Sequence, residues 1–168
     1  MKQMTDLTAP QETNPSSPDK PGVIVFPPVL FVAALGLGIA LQLKWPIHFG
    51  HALPPRIIGG ILLVTSPFMA IPAFMTMRRA GTNVDPGKPS TVIVDEGPYR
   101  FTRNPIYLAN TLLYLGLSLV FNAVWPLLTL VPSLVLLHWG VVLREERYLE
   151  GKFGEAYLAY KRRVRRWF

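Results

Sequence analysis

No cysteine occurs among the 168 residues. Disulfides, thiolate nucleophiles and cysteine-based metal sites are therefore excluded. Charge is also scarce, at 16% of residues, against roughly 25% in a soluble domain. Acidic residues are the scarcer sign, 10 against 17 Lys plus Arg, which leaves a formal charge of +7. What fills the chain instead is apolar: half of it is hydrophobic and the mean hydropathy is +0.30. An ordinary soluble globule is ruled out by that balance. A basic excess on an apolar chain points to anionic lipid headgroups ahead of nucleic acid. No P-loop or dinucleotide fingerprint is present. His48 and His51 stand three apart without a third ligand nearby, so no metal centre is expected. His138 reads as a packed core histidine.

Spanning roughly 30 Å of hydrocarbon takes about 20 helical residues. Four stretches approach that length, at 23–43, 57–77, 106–121 and 124–143. The second carries Pro67 and Pro72, which predict a bent helix packed on neighbours. The third, at about 24 Å, barely crosses. Only Asn122 and Ala123 separate it from the fourth, so these two spans must form an antiparallel hairpin. Residues 1–22, with four prolines and no aromatic residue, read as a disordered tail ahead of a single membrane domain over 23–168. The expected fold is all-α: about four transmembrane helices, the last two a hairpin, plus a cytoplasmic amphipathic C-terminal helix. All of the 17 basic residues except Lys44 and Arg56 fall on one predicted side. The positive-inside rule makes that side the cytoplasm and predicts a multi-pass cell (inner) membrane protein with both termini cytoplasmic. No internal repeat is visible, and the span centres hold no Asp, Glu, Lys or Arg, which argues against a pump or channel.

Polar chemistry collects at one end of the hairpin. The chain enters span three through Gly97, Pro98, Tyr99, Arg100, Phe101, Thr102, Arg103, Asn104, Pro105, Ile106 and Tyr107, and leaves span four through Arg144, Glu145, Glu146 and Arg147. The hairpin brings Arg103, Asn104 and Tyr107 to the depth of Glu145 and Glu146. Carboxylates accept from an ammonium group or ribose hydroxyls, and an arginine with an amide takes a carboxylate. Aromatic faces attract a sulfonium or ammonium cation. The group thus suits a small zwitterionic cofactor, though many ligands carry both charges. Blander readings fit the same residues: interfacial anchoring for Arg100 and Arg103, and an aromatic belt for Tyr99, Tyr107, Trp125, Trp139 and Trp167. Leu149, Phe153, Tyr157 and Tyr160 form one apolar stripe on a helix along the interface, which Gly151 and Gly154 weaken or break. The basic run 161–168 reads as a lipid-facing anchor.

Taken in order, the segment from Gly97 to Tyr107, then Glu145-Glu146, Phe153-Gly154-Glu155-Ala156-Tyr157, Tyr160-Lys161 and Val164, resembles the isoprenylcysteine carboxyl methyltransferase and phospholipid methyltransferase superfamily. The resemblance covers about residues 96–164. Arg78 through Pro86 are similar to the loop before the motif in bacterial members. Asn104 stands where the family usually has histidine, and Ala109 where it often has glycine. The resemblance implies an integral-membrane enzyme with S-adenosylmethionine as cofactor and no metal. It implies a lipidic or lipid-attached acceptor, such as an isoprenylcysteine-like carboxylate or a phospholipid amine. Carried over by position, Arg103 and Glu146 are the catalytic candidates, with Arg103 orienting an anionic acceptor. Tyr99, Asn104, Pro105, Tyr107, Glu145, Glu146, Tyr157 and Tyr160 are the cofactor-binding candidates, the last two tyrosines as a lid. Sterol reductases share a related C-terminal region and use a nicotinamide cofactor, but have a larger bundle. A small amphiphilic thiol or amine as acceptor, and a non-catalytic membrane adaptor on the same scaffold, remain alternatives. The expected partners are membrane lipids and a lipid-like substrate, with no nucleic acid; the sequence does not specify an oligomeric state.

Overall fold

A computed structural model describes residues 20–50 and 53–167; the tail before them, His51, Ala52 and Phe168 lie outside the described residues. Among the described residues the protein is built from helices alone. Helix α1 spans Pro27–Lys44, α2 Leu53–Arg79, α3 Pro105–Val120 and α4 Val124–Leu137. A π-helical segment, His138–Val142, continues α4 directly into α5, Leu143–Phe153, and α6 follows at Glu155–Arg163. Three stretches are long and apolar enough to cross a membrane: α1, α2 and the continuous Val124–Phe153 rod; α3 is a shorter apolar helix. The protein is an all-α membrane protein.

Prolines start the helices where a missing N–H costs nothing: Pro27 opens α1 and Pro105 opens α3. Pro67 and Pro72 both stay inside α2, whose 27 residues run on beyond the stretch read from hydropathy. The long rod is the main departure from the sequence reading, which ended span four near residue 143. Nothing between 143 and 153 breaks a helix strongly enough, and Gly151 sits inside it; the break comes at Gly154, whose φ of 52° is open to glycine.

Helix α1 packs along α4, and α2 packs along α3. The α2–α3 crossing is close because neither Gly59 nor Gly116 has a side chain. A Cβ on Gly59 would lie 2.8 Å from the Gly116 carbonyl oxygen, and one on Gly116 would lie 2.8 Å from the Leu63 side chain. Small residues at a membrane helix crossing let the backbones touch. Ser66 adds a hydrogen bond to the Ala109 carbonyl at 2.9 Å; Ala109 is fully buried. At the far end Asn122 holds the hairpin turn in the left-handed region, φ 53°. Its side-chain oxygen accepts the Phe49 N–H. Lys44 and the start of α2 share that end. The N-terminal approach to α1, the 78–105 loop and the helix after Gly154 share the other.

The π segment has a structural consequence. Widening a helix turn frees a carbonyl from the usual ladder, and the Gly140 carbonyl accepts the Ile24 N–H at 3.0 Å. Arg144 reaches the Gly22 carbonyl at 3.1 Å. Residues 22–24, at the border of the expected tail, are thereby stitched to the rod. His138 is half-buried with its ring edge-on to exposed Trp139 at 5.4 Å, so it is not the core histidine the sequence suggested.

Candidate functional site

The polar end of the bundle encloses a cavity of about 140 Å³. Its walls come from the 82–94 loop, the 3-10 turn Gly97–Arg100 and its continuation to α3, the rod near Glu145, and α6. Each of the nine candidates named from sequence lines this one cavity: Tyr99, Arg103, Asn104, Pro105, Tyr107, Glu145, Glu146, Tyr157 and Tyr160. The hairpin and the Gly154 break together make this possible, because the first folds the rod beside α3 and the second turns α6 back over the opening.

The adjacent carboxylates have separate partners. Glu145 accepts a hydrogen bond from the Tyr107 hydroxyl at 2.9 Å. Glu146 is buried and faces two arginines. Arg103 Nη1 lies 3.1 Å from its Oε1, with both side chains under a tenth exposed. Arg166 donates from Nε and Nη2 to the two oxygens, each at 2.8 Å. This two-pronged geometry is the strongest form of an arginine–carboxylate pair, and the carboxylate beside it holds the Arg166 guanidinium above its usual pKa. Two arginines around one carboxylate leave a local excess of one positive charge. Arg103 Nη1 is held in the ion pair with Glu146, but its Nε is buried without a hydrogen-bond partner. A buried guanidinium N–H left this way calls for an acceptor from outside the chain.

The C-terminal segment is part of the site. The sequence reading made the basic run 161–168 a lipid-facing anchor, but the structure ties part of that run into the site. The Arg165 carbonyl accepts the Arg103 N–H at 3.0 Å, and the Arg166 carbonyl accepts from Thr102 Oγ1 and Asn104 Nδ2, each at 3.0 Å. Val164 is buried in a cluster with Tyr157 and Tyr160. Arg163 pairs with Asp95, and Lys161 with Glu150. Glu146, Glu150 and Asp95 thus each take one charge of the run, while Arg162 and Arg165 stay exposed.

The tyrosines are set by burial. The Tyr160 hydroxyl donates to the Tyr99 carbonyl at 2.9 Å. Desolvation pushes the Tyr157 hydroxyl up to about 12, and raises Tyr99 and Tyr160 as well. All three remain neutral donors near pH 7 and line the cavity, Tyr99 among them instead of joining an interfacial belt. The stripe of Leu149, Phe153, Tyr157 and Tyr160 packs inward, with Ile93.

A second cavity, of about 430 Å³, adjoins the first. It lies between α1 and α3, where the pairing of α1 with α4 and of α2 with α3 leaves a gap. Phe26, Phe31, Leu35, Phe74, Leu113 and Leu117 give it apolar walls. The two cavities share Val84, Asp85, Pro86, Ile106 and Tyr107. Sequence reading missed this cavity, along with Asp85 and Arg166. The similarity of 78–86 to the loop before the family motif was the one available signal for Asp85.

The sequence pattern of the family described as "Phospholipid methyltransferase" matches residues 55–156, more than half of the chain. Two curated relatives are similar over shorter stretches. The "Cobalt-zinc-cadmium resistance protein CzcN" of Cupriavidus metallidurans is 30% identical over 82 residues, 49% of this chain. The match covers 38% of that relative's length. An uncharacterized protein of Haemophilus influenzae is 36% identical over 62 residues, 37% of this chain and 98% of its own. No solved structure matches.

Proposed function

Because the chain belongs to the phospholipid methyltransferase family, and so is a multi-pass membrane methyltransferase, we propose that its methyl donor is S-adenosylmethionine and its acceptor a lipidic or lipid-attached molecule in the bilayer. The observation that carries the reading is the pair of joined cavities. One is polar, lined by Glu145 and by Arg103 with its unpartnered Nε; the other is apolar and lies at membrane depth; Tyr107 and Asp85 stand between them.

The donor set fits this cofactor. The unpartnered Nε of Arg103 suits its carboxylate, Glu145 suits its ammonium group, and the rings of Tyr99, Tyr157 and Tyr160 suit a sulfonium cation. When bound, the cofactor supplies an electrophilic methyl carbon. The protein's part is to hold the two reactants in line. Glu146 fixes Arg103 from one side, while Arg166 braces Glu146 from the other. The segment 164–167 braces this group through its hydrogen bonds to Thr102, Arg103 and Asn104. Orientation of this kind is worth roughly 7–11 kcal/mol in well-aligned reactions. We place the site at the cytoplasmic face of a cell membrane, with both termini on that side, since nearly all the basic residues lie at the site's end of the bundle.

The test combines purified protein, methyl-labelled S-adenosylmethionine and a total membrane extract. Label in the organic phase is the expected result, alkali-labile for an ester and stable for an N- or S-methyl product. No label together with no cofactor binding would overturn the enzyme reading and leave a membrane adaptor.

A further inference from the structure

Arginines at the polar end of the bundle fall into two groups. Arg103, Arg163 and Arg166 are paired with Glu146 or Asp95. Arg78, Arg79 and Arg100 are exposed, and their side chains make no ion pair or hydrogen bond among the described residues. The first two end α2, and the third ends the 3-10 turn Gly97–Arg100. That turn lies against the last turns of α2, since a Cβ on Gly97 would stand 2.8 Å from Thr76 Oγ1. Phe101 follows Arg100 and is 80% exposed. None of these three arginines lines either cavity, and neither does Phe101.

An apolar track on α2 leads to this corner. Gly59, Ser66 and Ala73 are buried on the side of α2 that meets α3. On the opposite side Ile57, Ile61, Val64, Phe68, Ile71 and Met75 are exposed. Their alternating spacing of four and three makes one stripe, and the next step of three reaches Arg78. From Phe68 to Arg78 the stripe runs about 15 Å, half the thickness of the hydrocarbon layer. The stripe alone would take any acyl chain, but three unpaired guanidinium groups at its end select a negative headgroup.

We propose that this corner binds an anionic phospholipid, with its phosphate among Arg78, Arg79 and Arg100 and its acyl chains along the stripe on α2. The lipid is a bound neighbour and not a reactant, because the corner lies outside both cavities; the inference therefore stands apart from the methyl acceptor. Its phosphate ties the end of α2 to the turn that carries buried Tyr99 into the polar cavity.

The test places the full chain in phosphatidylcholine bilayers with a trace of spin-labelled phosphatidylglycerol or spin-labelled phosphatidylcholine. The motionally restricted part of each spectrum reads the lipid held at the protein surface. Phosphatidylglycerol is expected to be preferred by about threefold or more. Arg78→Gln, Arg79→Gln and Arg100→Gln combined should remove most of that preference. Should the combined variant fail to fold, Arg100→Gln alone is expected to lower it. Arg147→Gln, which removes an exposed arginine from the rod at the same end, should leave most of it. Glycerol phosphate in the buffer should not displace the lipid. Equal retention of the two lipids would overturn the site. So would a loss from Arg147→Gln as large as that from Arg100→Gln, which would mean a diffuse basic field. Displacement by glycerol phosphate would also overturn it, since the corner would then hold a free anion and not a lipid.

Discussion

The two cavities meet at Tyr107 and Asp85 but are built in different ways. The polar one is assembled from segments far apart in sequence, tied by side-chain pairs: Glu146 with Arg103 and Arg166, Tyr107 with Glu145, Asn104 with the Arg166 carbonyl. The apolar one has fewer such ties, Tyr114 with Thr129 and the shared Tyr107 with Glu145, and exists because α1 lies on α4 while α2 lies on α3. Shape in the first depends on individual residues, and in the second on how helices pack. Substitutions in the polar cavity should therefore alter folding and cofactor binding together. Those in the apolar cavity should alter acceptor use alone.

The largest effect is expected at Glu146. Replacing it with alanine leaves two arginines facing each other, one of them buried, at a cost of about 3–5 kcal/mol. A fall in the thermal midpoint in detergent, with loss of methyl transfer, would check this; an unchanged midpoint would break the contrast. The next largest is Leu113→Trp, which narrows the apolar cavity from α3. The KM for a long-chain acceptor should rise several-fold while the thermal midpoint and cofactor affinity hold. A smaller effect is expected from Asn104→His. An imidazole N–H can replace the amide donor to the Arg166 carbonyl, so activity should stay within about twofold or rise. A folded but inactive variant would contradict the position given to Asn104.

The same contrast explains what could be read from the sequence. The residues from Tyr99 to Tyr107 and from Glu145 to Tyr160 carry the family pattern, and a two-residue hairpin link brings them together, so nine residues of the polar cavity's wall were legible but the 82–94 loop was not. Arg166 was not, because a basic run gives no sign of which carboxylate it will meet. The apolar cavity was invisible for a different reason. Membrane helices are apolar on all sides, so periodicity does not say which face meets a neighbour and which meets a gap. The rod that runs through residue 153 was missed because hydropathy falls where the helix leaves the apolar layer, although the backbone has no cause to stop before Gly154.

The most direct measurement of the division between the cavities is paired: cofactor dissociation constants and acceptor KM values for Arg103→Lys and Leu113→Trp. Lysine keeps the charge opposite Glu146 but loses the guanidinium fork, so Arg103→Lys should weaken S-adenosylmethionine by about tenfold and leave the acceptor KM nearly unchanged. Leu113→Trp should do the reverse. If Leu113→Trp weakened the cofactor, or Arg103→Lys changed only the acceptor, the assignment of cofactor to the polar cavity and acceptor to the apolar one would be wrong.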